Sequence, residues 1–271
     1  MTSDWALPDV DLGVLPTFDL AGLPVLQLLD LTSPLLPQDT SSCLLDVVSE
    51  IHDSFFPGYE HVADEWRAWW RSGEYPVPDV VGHVILILRD GEPVGQIVFD
   101  TNVRRGISLV HYFAVTPTGR AGLPRGWLRH AARAFLDLGK ADAAGAGRAL
   151  LGVAGEVPAA HVHKWTATGY APLGVDYGEP RHGMHWREFG EPDLMSMSPI
   201  LFTPLAGRAL PHSHVADAAL RAFLIDHYRM DPNFPATAAV LAQAAELGPV
   251  PIEIADRAEF TECAPPALLT A

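Results

Sequence analysis

The chain predicts an α/β (α+β) protein with a mixed, largely antiparallel central sheet flanked by helices, followed by a C-terminal helical extension. Three stretches carry that expectation. Val84–Leu88 and Val94–Phe99 are apolar runs about Asp90-Gly91, the pattern of two strands joined by a tight turn. Ile107–Val115 is aromatic and β-branched, as a buried strand should be. From Arg125 on, Trp127, Leu128, Ala131, Ala132, Phe135 and Leu136 form one apolar helical stripe.

Taken in order, residues 1–23 are rich in Pro and Asp and read as an irregular arm. Val25–Leu31 reads as a strand, and the serines of the following loop can cap the helix over Leu44–Phe55, which places Leu44, Val47, Val48, Ile51 and Phe55 on one face. Pro57-Gly58 ends it, and His61–Arg71 forms a second helix with Val62, Trp66, Trp69 and Trp70 inward. The two hairpin strands and the Ile107–Val115 strand come next. Thr116–Pro124 breaks regular structure, and the helix from Arg125 to Leu138 follows. Ala143–Gly147 reads as a flexible connection, Ala149–Val153 as a buried strand and Ala159–Thr168 as a helix stopped by Gly169. Tyr170–Val175 is a further strand, 176–192 an insert rich in Gly, His, Arg and Glu, and Leu194–Leu205 a last strand interrupted at Pro199. Val215–Met230 and Thr237–Leu247 read as a helical hairpin packed on the core or on a second subunit, which would make a homodimer, and Ile252–Ile254 as a short strand. This organisation gives an arm over 1–23, a main domain over 24–205 and a helical extension over 206–271.

Composition narrows the function. A length of 271 residues with 48% hydrophobic content can bury a full core. The formal net charge of −15 argues against nucleic acid or anionic membranes as partners and suits a cationic substrate. Cys43 and Cys263 are too few for a disulfide framework. The acidic start of the chain predicts no signal peptide, and no apolar run reaches about 18 residues, so a cytoplasmic protein without a membrane span is expected. GxSxG, P-loop, GxGxxG and HExxH motifs do not occur.

The stretch Ala-Val-Thr-Pro-Thr-Gly-Arg-Ala-Gly-Leu-Pro-Arg-Gly, 114–126, resembles the acyl-CoA pyrophosphate loop of the GNAT superfamily of acyl-CoA-dependent N-acyltransferases, V-x-P-x-x-R/Q-x-x-G-x-G/A. In one register Val115, Pro117 and Arg120 fit, while Leu123 and Arg125 take the glycine positions. Shifted by one, Gly122 and Gly126 fit, Gly119 takes the Arg/Gln position and Pro124 the second glycine. The Ala149–Gly174 stretch, with His-Lys-Trp-Thr-Ala-Thr-Gly-Tyr at its centre, is similar to the family's second motif, a helix ending in L-G-F/Y before a strand. The resemblance covers about 24–205.

That resemblance implies acetyl-CoA as co-substrate and a small-molecule amine as acceptor. It places the cofactor at the strand end, Phe113, Ala114 and Val115, and on the loop residues Gly119, Arg120, Gly122, Arg125 and Gly126. It also implies that the Ile107 and Ala149 strands lie side by side in parallel, crossed over by the intervening helix. His111, four residues before Val115, suits a general base near neutral pH and equally suits a hydrogen-bonded core histidine. The family's tyrosine acid falls on Trp165, which cannot protonate a thiolate, and leaves His163 and Tyr170 as substitutes. Arg125, Arg129 and Arg133 make a basic helix edge that could meet CoA phosphates or simply face solvent. Of the pairs His161/His163, His182/His185 and His212/His214, the first points to different helix faces; His182-x-x-His185 with Glu188 could ligate zinc if the insert were helical, but Gly183 and the lack of a third spaced ligand count against it, so no metal is expected. A GNAT-like scaffold that binds acyl-CoA or a protein without turnover is the rival expectation.

Overall fold

The computed structural model describes residues 15, 17–20, 23–72, 77, 79–203 and 212–247. Its centre is a sheet in the order β1 (Thr17–Leu20), β2 (Leu23–Asp30), β3 (Val80–Arg89), β4 (Glu92–Asn102), β5 (Ile107–Val115), β6 (Gly152–Val157), β9 (Leu194–Phe202) and β7 (Ala171–Pro172). β8 (Tyr177–Pro180) pairs with the first half of β9, and β6 and β7 flank its second half. Every pairing is antiparallel except that of β5 with β6, which run side by side in parallel. This is the GNAT-like mixed sheet that the resemblance implies.

Strand residues alternate between two cores, as the period of two in a pleated strand requires. On one face Leu26, Leu28, Ile85, Ile87, Ile97, Phe99, Val110 and Val153 pack against α4 (Leu128–Gly145). On the other, Leu29, Leu31, Val84, Leu86 and Val98 pack against α1 (Gln38–Phe55) and α2 (Glu60–Ser72). Farther along that face Ile107, Leu109, Ala154 and Leu201 pack against α6 (His212–Arg221), its π-helical continuation Ala222–His227 and α7 (Pro235–Glu246). The C-terminal extension is therefore a second covering layer of the sheet, with Leu220, Phe223 and Leu224 in its core.

Several boundaries differ from expectation. β1 occupies part of the expected irregular arm, because Phe18 and Leu20 pack on the first core and pair with β2. The loop before the crossover contains one helical turn, α3 (Pro117–Arg120), capped by Thr116 with proline at its first position. α4 starts at Leu128, not Arg125, and runs to Gly145 through the expected flexible connection, since Gly139 and Ala143 are buried against the sheet. β6 begins three residues later than expected and ends four residues later, at Val157, which brings Glu156 into the strand. The 159–168 helix is a 3₁₀ turn followed by the short α5 (Val162–Thr166). β7 is only two residues long, and the insert contains β8. Pro199 does not interrupt β9: it pairs opposite Glu156, and its carbonyl accepts from Leu173 N–H. The segment 252–254 lies outside the described residues.

Candidate functional site

The feature that organises the site is a split in the sheet. β5 and β6 pair from Ile107↔Gly152 to Val110↔Gly155 and no farther, although β5 continues to Val115 and β6 to Val157. At the apex β5 carries a bulge: Val98 pairs with Tyr112 and Phe99 with Val110, so His111 is the extra residue. The first residue past the last pair is thus His111 on one strand and Glu156 on the other.

Beyond the split lies the 116–128 loop. Thr116 Oγ1 accepts from Gly119 N–H at 2.8 Å, and a Cβ on Gly119 would lie 2.7 Å from that of Val94. Gly119 is therefore a packing residue whose amide is committed, and it offers no donor to a ligand. Arg89, at the end of β3, binds the carbonyls of Gly119 and Ala121 at 3.0 and 2.6 Å and so closes off the acceptor side of α3. The amides of Gly122, Arg125, Gly126 and Leu128 have no hydrogen-bond partner among the described residues. Gly122 and Gly126 take φ of +73° and +81° with open space where a side chain would stand. Unpaired amides at the entry to an 18-residue helix are suited to an anion. Arg120 and Arg125, on the same loop, are exposed. Arg129 instead binds the Ala167 carbonyl and Arg133 binds Asp137, so the expected basic edge reduces to Arg125. Phe113 lies beneath this end, in ring contact with Trp127 and Trp165, while Ala114 and Val115 are buried and pair with β4.

On the opposite face a cluster of carboxyls and tyrosines meets the apex. Glu156 accepts hydrogen bonds from Tyr177 and, at 2.6 Å, from Tyr228 at the end of the π-turn. Burial, then the charge of Glu179, pushes the Glu156 carboxyl well above the usual carboxylate range, and the two tyrosines partly oppose this. Glu179, on β8, is raised to about 7 by burial, against the pull of His111 and of the Tyr228 and Tyr59 hydroxyls. Glu65, on α2, is likewise raised to about 7 by burial, against His185 and Arg229. Buried carboxyls poised near neutrality are what general acid–base chemistry needs.

His111 is bonded through Nε2 to the buried carboxylate of Asp100 at 2.8 Å, and its ring stacks on His227 at 4.2 Å. Burial, and then His111, lowers the pKa of His227 to about 3. The other expected catalytic residues lie apart from this group. His163 is exposed on α5. Tyr170 is buried on the α4 side against Trp165 and Phe202; its hydroxyl has no partner among the described residues, and burial pushes its ionisation up. Glu65, Glu156, Glu179, Tyr59, Tyr177 and Tyr228 were not singled out by sequence. Glu156 follows Gly-Val-Ala-Gly in a strand otherwise apolar, the one local signal for it. The others converge only in the fold.

No protein-family profile matches the chain, and no curated protein does. Solved structures do. A spermidine N-acetyltransferase, the SpeG F149A mutant from Vibrio cholerae, is 12% identical over 65% of this chain and 94% of its own, with a TM-score of 0.43. Ard1 from Thermoplasma volcanium is 14% identical over 67% of this chain and 99% of its own, with a TM-score of 0.40. A Bacillus subtilis acetyltransferase in complex with CoA is 11% identical over 59% of this chain and 93% of its own, with a TM-score of 0.39. These are likenesses of outline, and the fold is read from the sheet itself.

Proposed function

We propose that the chain is an N-acetyltransferase that moves the acetyl group of acetyl-CoA to a small-molecule amine. The observation that supports this best is the split between β5 and β6, with unpaired amides at one end and raised carboxyls at its apex. The pyrophosphate would sit on the amides of Gly122, Arg125, Gly126 and Leu128, beside Arg120 and Arg125. Pro124 removes one donor from that loop. The unpaired backbone edges of β5 and β6 leave hydrogen-bonding groups for an amide-containing chain between them.

The co-substrate supplies a thioester carbonyl and a thiol leaving group. Glu179, titrating near 7, takes the proton of an incoming ammonium and frees its lone pair. Burial and the charge of Glu179 raise Glu156 well above the usual carboxylate range, which favours Glu179 as the charged member of the pair. An acidic cluster in an acidic protein draws a cationic amine. The departing thiolate takes the proton that the nitrogen sheds as the amide forms, and Tyr170, a neutral hydroxyl without a partner among the described residues, packed in the same core as Val110 and Val157 on either side of the split, is assigned a hydrogen bond to that thiolate.

A second reading, a scaffold that binds acyl-CoA or a protein partner without turnover, is favoured by Pro124 and by Trp165 in place of the family's tyrosine. Thiol release from acetyl-CoA over a panel of primary amines and polyamines, run beside a CoA binding titration, separates the two. Release with at least one amine supports the transferase, and binding without release supports the scaffold.

A further inference from the structure

We propose that Asp100, His111 and His227 form a binding site for one divalent transition-metal ion of the zinc class. The three come from separate elements, β4, the bulge of β5 and the π-turn after α6, yet one donor atom from each lies within 4.8 Å of the others. Both histidines stand on backbone irregularities. The bulge inserts His111 as an extra residue, and the π-turn ends on His227. Bulges and π-turns that survive in a fold re-aim particular side chains, and here both aim imidazoles at the same point.

The ligand-directed observation is His227 Nδ1. This atom is buried and has no hydrogen-bond partner among the described residues, an arrangement that costs stability unless something else fills the position. The neighbouring Asp226 pins the turn in place, accepting from Asn102 at 2.8 Å and from Arg104 at 2.7 Å. His227 is thereby fixed over β4 and β5. Asp100, Asn102, Asp226 and His227 line a small crevice at this point.

Two imidazoles and one carboxylate suit zinc, cobalt or nickel better than calcium or magnesium, which prefer all-oxygen shells. Donors about 2.0–2.1 Å from one ion lie no more than about 4.2 Å apart, so loading draws the three side chains together and unstacks the rings. The Asp100 carboxylate supplies the charge that offsets Arg229, whose field reaches His227. The ion would tie the C-terminal helices to the two central strands. This site does not depend on the acyltransfer reading.

The test uses the full chain, stripped with chelator and titrated with zinc and then cobalt by calorimetry, thermal unfolding and visible absorption. One equivalent should bind, raise the unfolding temperature, and give a cobalt spectrum of nitrogen–oxygen ligation at low coordination number. His227→Gln should weaken binding by more than the about 10–100-fold that loss of a merely supporting partner costs. His185→Ala, in the exposed His185–Glu188 pair, should leave it unchanged. Absence of stoichiometric binding by the wild type, or equal binding by His227→Gln, overturns the proposal. The cobalt spectrum of the wild type tests it even if the variant does not fold.

Discussion

Glu156 and Tyr228, 72 residues apart in the chain, meet in a 2.6 Å hydrogen bond that joins the strand at the apex of the split to the C-terminal extension. The bond makes the extension part of the candidate site as well as its cover. The Tyr228 hydroxyl also favours the charged form of Glu179, so it supports both carboxylates. Tyr228→Phe removes that support, so both carboxyls should titrate at higher pH. The acid limb of a kcat/KM profile, which for wild type should rise through about pH 7 as Glu179 loses its proton, should move upward by about one pH unit, the scale of one lost hydrogen bond to a charge. An unmoved limb would remove Glu179 from the role of base.

A buried ion cluster anchors α4 to the far end of the sheet. His83 lies 2.6 Å from Asp30 and 3.3 Å from Asp142, and Thr101 donates to Asp142 at 2.6 Å. Burial works against the charged imidazole, but Asp30 and Asp142 outweigh it and hold the pKa up at about 10. A pKa raised from 6.5 stabilises the fold fully below about pH 6.5, progressively less above it, and no longer above about 10. Denaturant unfolding should therefore show stability falling between pH 7 and 10, and His83→Gln should flatten that decline. At pH 6 the same substitution should cost about 3 kcal/mol, the lower end for breaking a buried pair.

The clasp of Asp226 on the β4–β5 turn predicts how the extension is held. Asp226→Asn should cost about 2 kcal/mol, less than a fully buried pair, because Arg104 is 58% exposed. Truncation before residue 206 should bare Ile107, Leu109, Ala154 and Leu201 and cause aggregation, read by light scattering. A soluble, equally stable truncated chain would contradict this packing.

Elements with strong local periodicity were legible in the sequence, and those set by pairing were not. The Asp90-Gly91 hairpin, the α1 stripe and the parallel placement of β5 and β6 follow from turn chemistry, apolar spacing and the resemblance. β8 was not legible, because Tyr-Gly-Glu-Pro has no apolar alternation and is a strand only because β9 offers an edge. The site was less legible for the same reason. His111 was visible as a polar residue in an apolar strand, whereas its bond to Asp100 and its stacking on His227 depend on a bulge and a π-turn. Gly119 looked like a cradle glycine, and only the approach of Val94 shows that it is there for packing.

Arg89 predicts a division of labour in the loop. It binds carbonyls of α3, so Arg89→Ala should loosen the turn and weaken CoA binding indirectly, with a lower unfolding temperature. Arg125→Ala should weaken binding by about 1–3 kcal/mol, the scale of a charge-assisted hydrogen bond, with the unfolding temperature unchanged. Thermal unfolding beside calorimetry distinguishes the two, and a normal unfolding temperature for Arg89→Ala would contradict its supporting role.

The most direct measurement is calorimetric titration of CoA into wild type and Gly122→Asp. Gly122 sits at a φ of +73° with open space beyond it, a conformation Asp tolerates better than most residues, so the fold should persist while a negative charge enters the proposed pyrophosphate seat. The account predicts saturable binding by the wild type and none by the variant, with unchanged circular dichroism. Equal heats from the two proteins would place CoA elsewhere or nowhere, and would contradict the assignment of the loop.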